Sequence, residues 1–102
     1  MGAPAHTHVR LHLRLYIADN DRESRKAQEN LNKICSLYLQ GQFELKIFDV
    51  TKEYQAALDE KIFLTPTLII KSERESLTIF GDLSDQEKLL EMMIAPSAIK
   101  KP

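Results

Sequence analysis

Few side chains in this sequence have the type and spacing to do chemistry. Cys35 is the sole cysteine, so no disulfide can close within the chain, and that count is compatible with a reducing compartment. Dithiol chemistry needs a thiol of lowered pKa at a helix N-terminus, where free backbone N–H groups and the helix dipole stabilise the thiolate. The first helix start reads Asp19-Asn20-Asp21-Arg22-Glu23-Ser24 and carries no thiol. Cys35 falls near the far end of that helix, on its apolar stripe, where a cysteine serves as a packing residue. His6, His8 and His12 recur close together, but no carboxylate or thiol completes a metal shell around them. No catalytic residue, metal site or cofactor is expected.

The elements that carry these residues follow from periodicity. Residues 1 to 8 are small and polar, without period, and read as a disordered tail. From Val9 the pattern alternates strictly. Val9, Leu11, Leu13, Leu15 and Ile17 lie on one face of a strand, and Arg10, His12, Arg14 and Tyr16 form a wet or partner-facing side. Asn20 and Glu23 make a candidate capping box for a helix over residues 21 to 39, with Ala27, Leu31, Ile34, Cys35 and Tyr38 at helical spacing before Gly41. Residues 43 to 50 return to period two, and the long helix before them makes the two strands parallel neighbours in a right-handed βαβ unit.

Residues 53 to 60 form an amphipathic stretch, brief for a helix, and residues 62 to 64 lead into Thr65-Pro66 and the β-rich segment 67 to 70. The polar loop 71 to 75 separates that segment from a strand over 77 to 80, a spacing that suits an antiparallel hairpin. Gly81-Asp82 makes a tight turn. Ser84 and Glu87 form a second candidate capping box for a helix through Met93, which Pro96 should stop.

The order strand, helix, strand, short helix, strand, strand, helix gives the expected fold class: α/β, thioredoxin-like, βαβαββα with a mixed four-stranded sheet. The expected organisation is one domain over residues 9 to 95, with a C-terminal tail over 96 to 102. That architecture hosts both redox enzymes and binding modules, so the fold does not assign a function. It does often place a cis-proline where Thr65-Pro66 stands, and a cis bond is expected there. Arg10, His12 and Arg14 lie on a strand that belongs mid-sheet, where both faces are normally apolar. Their face is either a docking surface or a solvated strand end. Arg22, Glu23, Arg25, Lys26 and Glu29 read as the solvated face of the first helix.

Bulk composition narrows the partners. A chain of 102 residues, 43% hydrophobic and 28% charged, supports one core and no second domain. A net charge of -1 provides no cationic field to gather phosphates, so nucleic acid is not an expected partner. No apolar run approaches the roughly 20 residues of a membrane helix, and no signal-peptide core is present. The expected location is the cytoplasm, without membrane association.

Five segments carry a more specific likeness: Leu15-Tyr16-Ile17-Ala18, Leu31-Asn32-Lys33-Ile34, Lys46-Ile47-Phe48-Asp49-Val50, residues 61 to 68 (Lys-Ile-Phe-Leu-Thr-Pro-Thr-Leu) and Gly81-Asp82-Leu83-Ser84. Together, from Val9 to Leu90, they resemble the KaiB family of circadian-clock proteins. The resemblance implies a non-catalytic protein that binds a KaiC-type ATPase ring and, in cyanobacteria, helps it capture KaiA and displace a clock histidine kinase. It also implies two interchangeable arrangements, a tetrameric ground-state fold and a thioredoxin-like binding form, and so a possible dimer or tetramer. Lys46, Asp49 and Lys61 match family positions near the KaiC-facing surface. Lys46 and Lys61 can equally be ordinary exposed lysines. Thr65, Pro66, Gly81 and Asp82 match the family's structural motif, whose local work is to end the hairpin and cap the last helix.

The chain also departs from that pattern. Clock KaiB proteins typically have Ala-Gly-x-Thr-Pro where this chain has Ala18-Asp19-Asn20-Asp21-Arg22. A Pro-rich loop ending in Arg-Arg is replaced by residues 72 to 78, Ser-Glu-Arg-Glu-Ser-Leu-Thr, which alters a partner surface. Met92 and Ile94 stand at positions aligned with Gly and Asp, and Pro96 truncates the segment that the ground-state fold rearranges. The thioredoxin-like form is therefore expected to be more populated than in clock KaiB. The rival reading is a thioredoxin-like sensor module similar to the N-terminal domain of the clock histidine kinase. Two features weigh against it: no kinase follows Pro102, and the Gly-Asp-Leu-Ser motif is KaiB's own.

Overall fold

Leu11, Leu13 and Leu15 alternate along the first strand, and all three are buried on the same side of it. A computed structural model describes residues 11–38, 43–73 and 75–94. In chain order the elements are β1 (Leu11–Ile17), α1 (Arg22–Tyr38), β2 (Phe43–Asp49), α2 (Tyr54–Asp59), β3 (Thr67–Lys71), β4 (Ser76–Phe80) and α3 (Gln86–Ile94). The strands form one mixed sheet in the order β2-β1-β3-β4. β1 runs parallel to β2 and antiparallel to β3, and β3 runs antiparallel to β4.

The main core lies between this sheet and the two longer helices. The three leucines of β1 meet Leu68 and Ile70 of β3, Ala27, Leu31, Ile34 and Cys35 of α1, and Leu89, Met92 and Met93 of α3. Fully burying a leucine-sized side chain contributes about 1.5–3 kcal/mol, so this layer dominates the stability of the domain. A smaller cluster on the opposite face joins Tyr16, Ile69 and Ala57, with Phe48, Val50, Ala56 and Ile62 packed against it.

Both helix caps lie one residue beyond the expected position. At α1 the cap is Asp21, not Asn20: its Oδ2 accepts from the Ser24 amide at 3.0 Å and the Ser24 hydroxyl at 2.9 Å. The same hydroxyl accepts from the Ala18 amide at 3.0 Å, and Ser24 is buried. Asn20 instead turns the chain, with φ +67°. At α3 the cap is Asp85, not Ser84: its Oδ1 accepts from the Lys88 amide at 3.1 Å. A carboxylate beside the hydroxyl or amide has taken the capping role in each case. α2 is a true helix of six residues, and β4 gains Ser76 at its start, opposite Lys71. Tyr38 ends α1 exposed at 55% rather than joining the apolar stripe, and Tyr16 is buried at 1% rather than wet.

The Thr65–Pro66 peptide is cis. Its neighbour in space is the turn after β4, where Gly81 (φ +102°) and Leu83 (φ +62°) both adopt left-handed backbone. Asp82 Oδ1 accepts from the Ser84 amide at 3.0 Å, and the Asp82 carbonyl accepts from Asn30 Nδ2 at 2.8 Å. Gln86 Nε2 in turn donates to Asn30 Oδ1 at 3.2 Å. The Gly-Asp-Leu-Ser turn thus anchors α3 to α1 through Asn30, while Leu83 plugs the core. The tail residues, His6, His8, Val9, Arg10, Gly41, Ala95 and Pro96 lie outside the described residues, as does the side chain of Ile94.

Candidate partner-binding face

Strand register lays the second face of the sheet out in three rows. Phe48, Tyr16, Thr67 and Phe80 align across one end; Lys46, Arg14, Ile69 and Thr78 align across the middle; Glu44, His12, Lys71 and Ser76 align across the other end. A single short helix, α2, packs over one part of this face, where its Ala57 forms one cluster with Tyr16 and Phe48 of the first row and Ile69 of the second. There the Tyr16 and Phe48 rings stack with centroids 4.9 Å apart. The tyrosine hydroxyl is pushed above its ordinary pKa, chiefly by burial.

The middle row marks the edge of this cover. Arg14 is half-buried, donates to Glu60 Oε2 at 2.9 Å and lies 5.8 Å from the Phe48 ring centroid. Lys71 stands 3.9 Å from the same carboxylate. Beyond it His12 Nδ1 meets Glu44 Oε1 at 2.9 Å in the open. Lys46 is exposed and, with His12, Arg14, Glu44 and Lys71, lines a hollow of about 250 Å³. The strand face that carries His12 and Arg14 is therefore split, packed under α2 at Tyr16 and bare at His12.

Asp49, at the end of β2, has its carboxylate engaged within the fold. Oδ1 accepts from the Thr51 hydroxyl at 2.6 Å, the Thr51 amide at 3.0 Å and the Asp19 amide at 3.3 Å. These bonds, the Thr51 hydroxyl first, hold its pKa below the ordinary aspartate value. Lys61 follows α2 with φ +57°, its amide bonded to the Leu58 carbonyl, and its side chain is exposed. Lys46 and Lys61 line separate hollows of the molecule, and Asp49 lines neither of the two.

The hollow at Lys61, about 340 Å³, has an apolar wall that sequence periodicity did not reveal. Phe63 is 82% exposed, Leu64 61% and Phe80 61%, and all three border it with Ile62 and Ile69. Thr67 Oγ1 donates to the Leu64 carbonyl at 2.6 Å and fixes the loop just before the cis bond. The one available signal was an aromatic–aliphatic pair in an aperiodic segment ahead of Thr-Pro. Cys35 is buried and desolvation pushes its thiol up to about 11, the opposite of an activated nucleophile. Among the described residues no group of three or more potential ligands is placed to hold a metal.

A KaiB domain match covers residues 14–94, most of the chain. This chain belongs to the KaiB family. It is 40% identical over 92 residues to circadian clock protein KaiB3 of Synechocystis sp., covering 89% of this chain and 90% of that protein. Over 78 residues it is 44% identical to the circadian clock oscillator protein KaiB of Cyanothece sp., covering 76% and 74% of the two chains. Membership of the KaiB family makes it a non-catalytic protein.

Among solved structures the KaiB-family chain superposes on chloroplastic thioredoxin z with a TM-score of 0.76 at 14% identity, covering 95% of this chain and 85% of that one. Fasciola hepatica thioredoxin gives 0.69 at 16% identity, covering 89% and 85%. These likenesses establish the thioredoxin-like fold alone. No helix among the described residues is long and apolar enough to cross a membrane.

Proposed function

We propose that this KaiB-family chain is an adaptor that docks on a KaiC-type ATPase and regulates its signalling in the cytoplasm, in a circadian or stress-response setting. The observation that carries the reading is the exposed Phe63–Leu64–Phe80 surface beside Lys61, in a chain of a clock-protein family. Protein interfaces combine a few aromatic or aliphatic anchors with a charged rim. Phe63 and Leu64 supply the anchors here, Lys61 and Lys46 the rim. Asp49 acts on this surface indirectly, by holding the turn after β2. The thioredoxin-like arrangement is the binding-competent form, and KaiA-like or histidine-kinase proteins are further partners of the assembly.

The test mixes the purified chain with the KaiC-type ATPase of the same genome and ATP, and follows complex formation by size-exclusion chromatography with light scattering. Co-elution is expected. Phe63→Ala should weaken it about tenfold or more, as loss of an anchor does. Lys46→Glu and Lys61→Glu should act mainly on the association rate and its salt dependence. Absence of a complex across nucleotide states, with both proteins folded, would refute the adaptor reading.

A further inference from the structure

The sheet ends in two edges of contrasting character. β2 carries Glu44, Lys46 and Asp49 along one edge, charges of the kind that keep edge strands from pairing with other chains. β4, the other edge, reads Ser-Leu-Thr-Ile-Phe, with no charge, no proline and no glycine, and among the described residues no strand lies beyond it. Two bonds fix which of its backbone groups are free. The Ser72 amide donates to the Glu75 carbonyl at 2.8 Å and the Gly81 amide to the Pro66 carbonyl at 3.0 Å, one at each end of the β3–β4 ladder. Hydrogen-bonded pairs alternate along an antiparallel ladder, so Leu77 and Ile79 bond to β3, and Ser76, Thr78 and Phe80 turn their N–H and C=O groups to the open side. Beside this row a hollow of about 430 Å³ has Ile79, Leu89 and Met92 as its apolar lining and Asp82, Asp85 and Lys88 as its charged border. Among the described residues neither carboxylate belongs to an ion pair, and Lys26 acts on Asp82 from longer range.

We propose that β4 is a docking edge for an extended segment of another protein, added as an antiparallel fifth strand, in which a Lys or Arg is followed at the second and fourth places after it by aliphatic residues. Strand addition of this kind draws its affinity from main-chain hydrogen bonds and its specificity from alternate side chains. Ser76, Thr78 and Phe80 supply the main-chain groups. The basic residue, opposite Gly81, reaches the carboxylates of Asp82 and Asp85, and the space over Gly81 is open: a Cβ there would meet nothing within 4 Å. The two aliphatic residues oppose Ile79 and Leu77. Those are the non-hydrogen-bonded pairs of the new ladder, where opposed Cα atoms approach to about 4.5 Å and side chains pack most closely. They add cover to Leu77 and Ile79, which the fold leaves only partly buried. A slip by one residue would turn the segment's intervening side chains toward the hollow and its aliphatic ones away. An acidic first residue would meet two carboxylates. The inference does not depend on the ATPase-binding reading, which uses Lys46, Lys61 and the loop before Pro66; of Phe80 it uses the main chain alone.

The probe is a fluorescein-labelled peptide, Arg-Ser-Ile-Thr-Val-Ser, titrated with the full chain at low salt and followed by fluorescence anisotropy. Saturable binding is expected, with amide NMR shifts centred on Ser76, Thr78 and Phe80. N-methylation of the peptide's threonine, whose N–H faces Thr78 of β4, should weaken binding about tenfold, whereas N-methylation of its isoleucine, whose N–H points away, should change it less than about twofold. Replacing the peptide's arginine by glutamate should also weaken binding about tenfold, and Asp82→Asn combined with Asp85→Asn should remove most of that preference. Asparagine keeps the oxygen that accepts from the Ser84 and Lys88 amides, so the double variant should retain its circular dichroism spectrum. The absence of saturable binding, equal losses from the two N-methylated peptides, or equal affinity for the arginine and glutamate peptides would each overturn the proposal.

Discussion

The backbone N–H of Gly81 donates to the carbonyl of Pro66 at 3.0 Å. The cis-prolyl turn and the Gly-Asp-Leu-Ser turn, separate motifs in the sequence, are therefore one corner of the fold. Gly81 holds φ +102°, and a Cβ placed on it would meet nothing within 4 Å. Gly81→Ala should accordingly cost conformational energy alone, about 1 kcal/mol or somewhat more. Urea unfolding should show a lower midpoint with an unchanged slope.

Asp21→Ala and Asp85→Ala each remove the side-chain acceptor that caps a helix, and each should destabilise the chain by about 1 kcal/mol. Glu23→Ala and Glu87→Ala remove exposed first-turn carboxylates without a capping bond and should cost about 0.5 kcal/mol or less. Chemical denaturation of the four variants separates the two groups.

Asp49 gives the fold an acid-side dependence. Its hydrogen bonds, led by that from the Thr51 hydroxyl, depress its pKa in the folded chain, whereas the unfolded chain holds the proton more tightly. The stabilisation is therefore complete above the ordinary aspartate pKa and lost as pH falls through the depressed folded value. Asp49→Asn should flatten the acid limb of a plot of urea midpoint against pH. If partner binding by Asp49→Asn falls only in step with the loss of structure in the 49–53 turn, the residue positions the surface rather than touching the partner.

Cys35 gives a dependence of the opposite sign. Burial raises its thiol from about 9 to about 11, so the folded chain holds this proton more tightly than the unfolded one. Its contribution is present below the unfolded value and declines as pH rises from about 9 through about 11. Cys35→Ala should abolish that alkaline decline. A thiol reagent at pH 8 should leave the native chain unlabelled and report only its opening.

The main core was legible because period two in β1 and period 3.6 in α1 both point at one side of the sheet, and those patterns need no tertiary information. The caps were misplaced by one residue because Asn20 and Asp21, and Ser84 and Asp85, are all competent acceptors; the choice depends on where the backbone turns, as the left-handed Asn20 shows. Tyr16 alternates with charged residues and so read as wet, but α2 folds back over that end of β1 and buries it. The exposure of Phe63 and Leu64 escaped for the converse reason. Apolar residues in a loop have no period, and only the fold reveals that the turn before the cis bond leaves them uncovered.

The position of β1 within the sheet also constrains how the polypeptide can mature on a ribosome. Among the described residues the first strand in chain order is central: Leu15 pairs with Ile47 on one side and Leu68 on the other. Neither neighbour exists until much more of the chain has been translated, and β3 arrives only after the βαβ unit is complete. During synthesis the apolar side of β1 must wait, covered at best by α1, until Thr67–Lys71 clears the exit tunnel. A nascent chain stalled before that point should remain open to protease, and one stalled well beyond α3 should resist it.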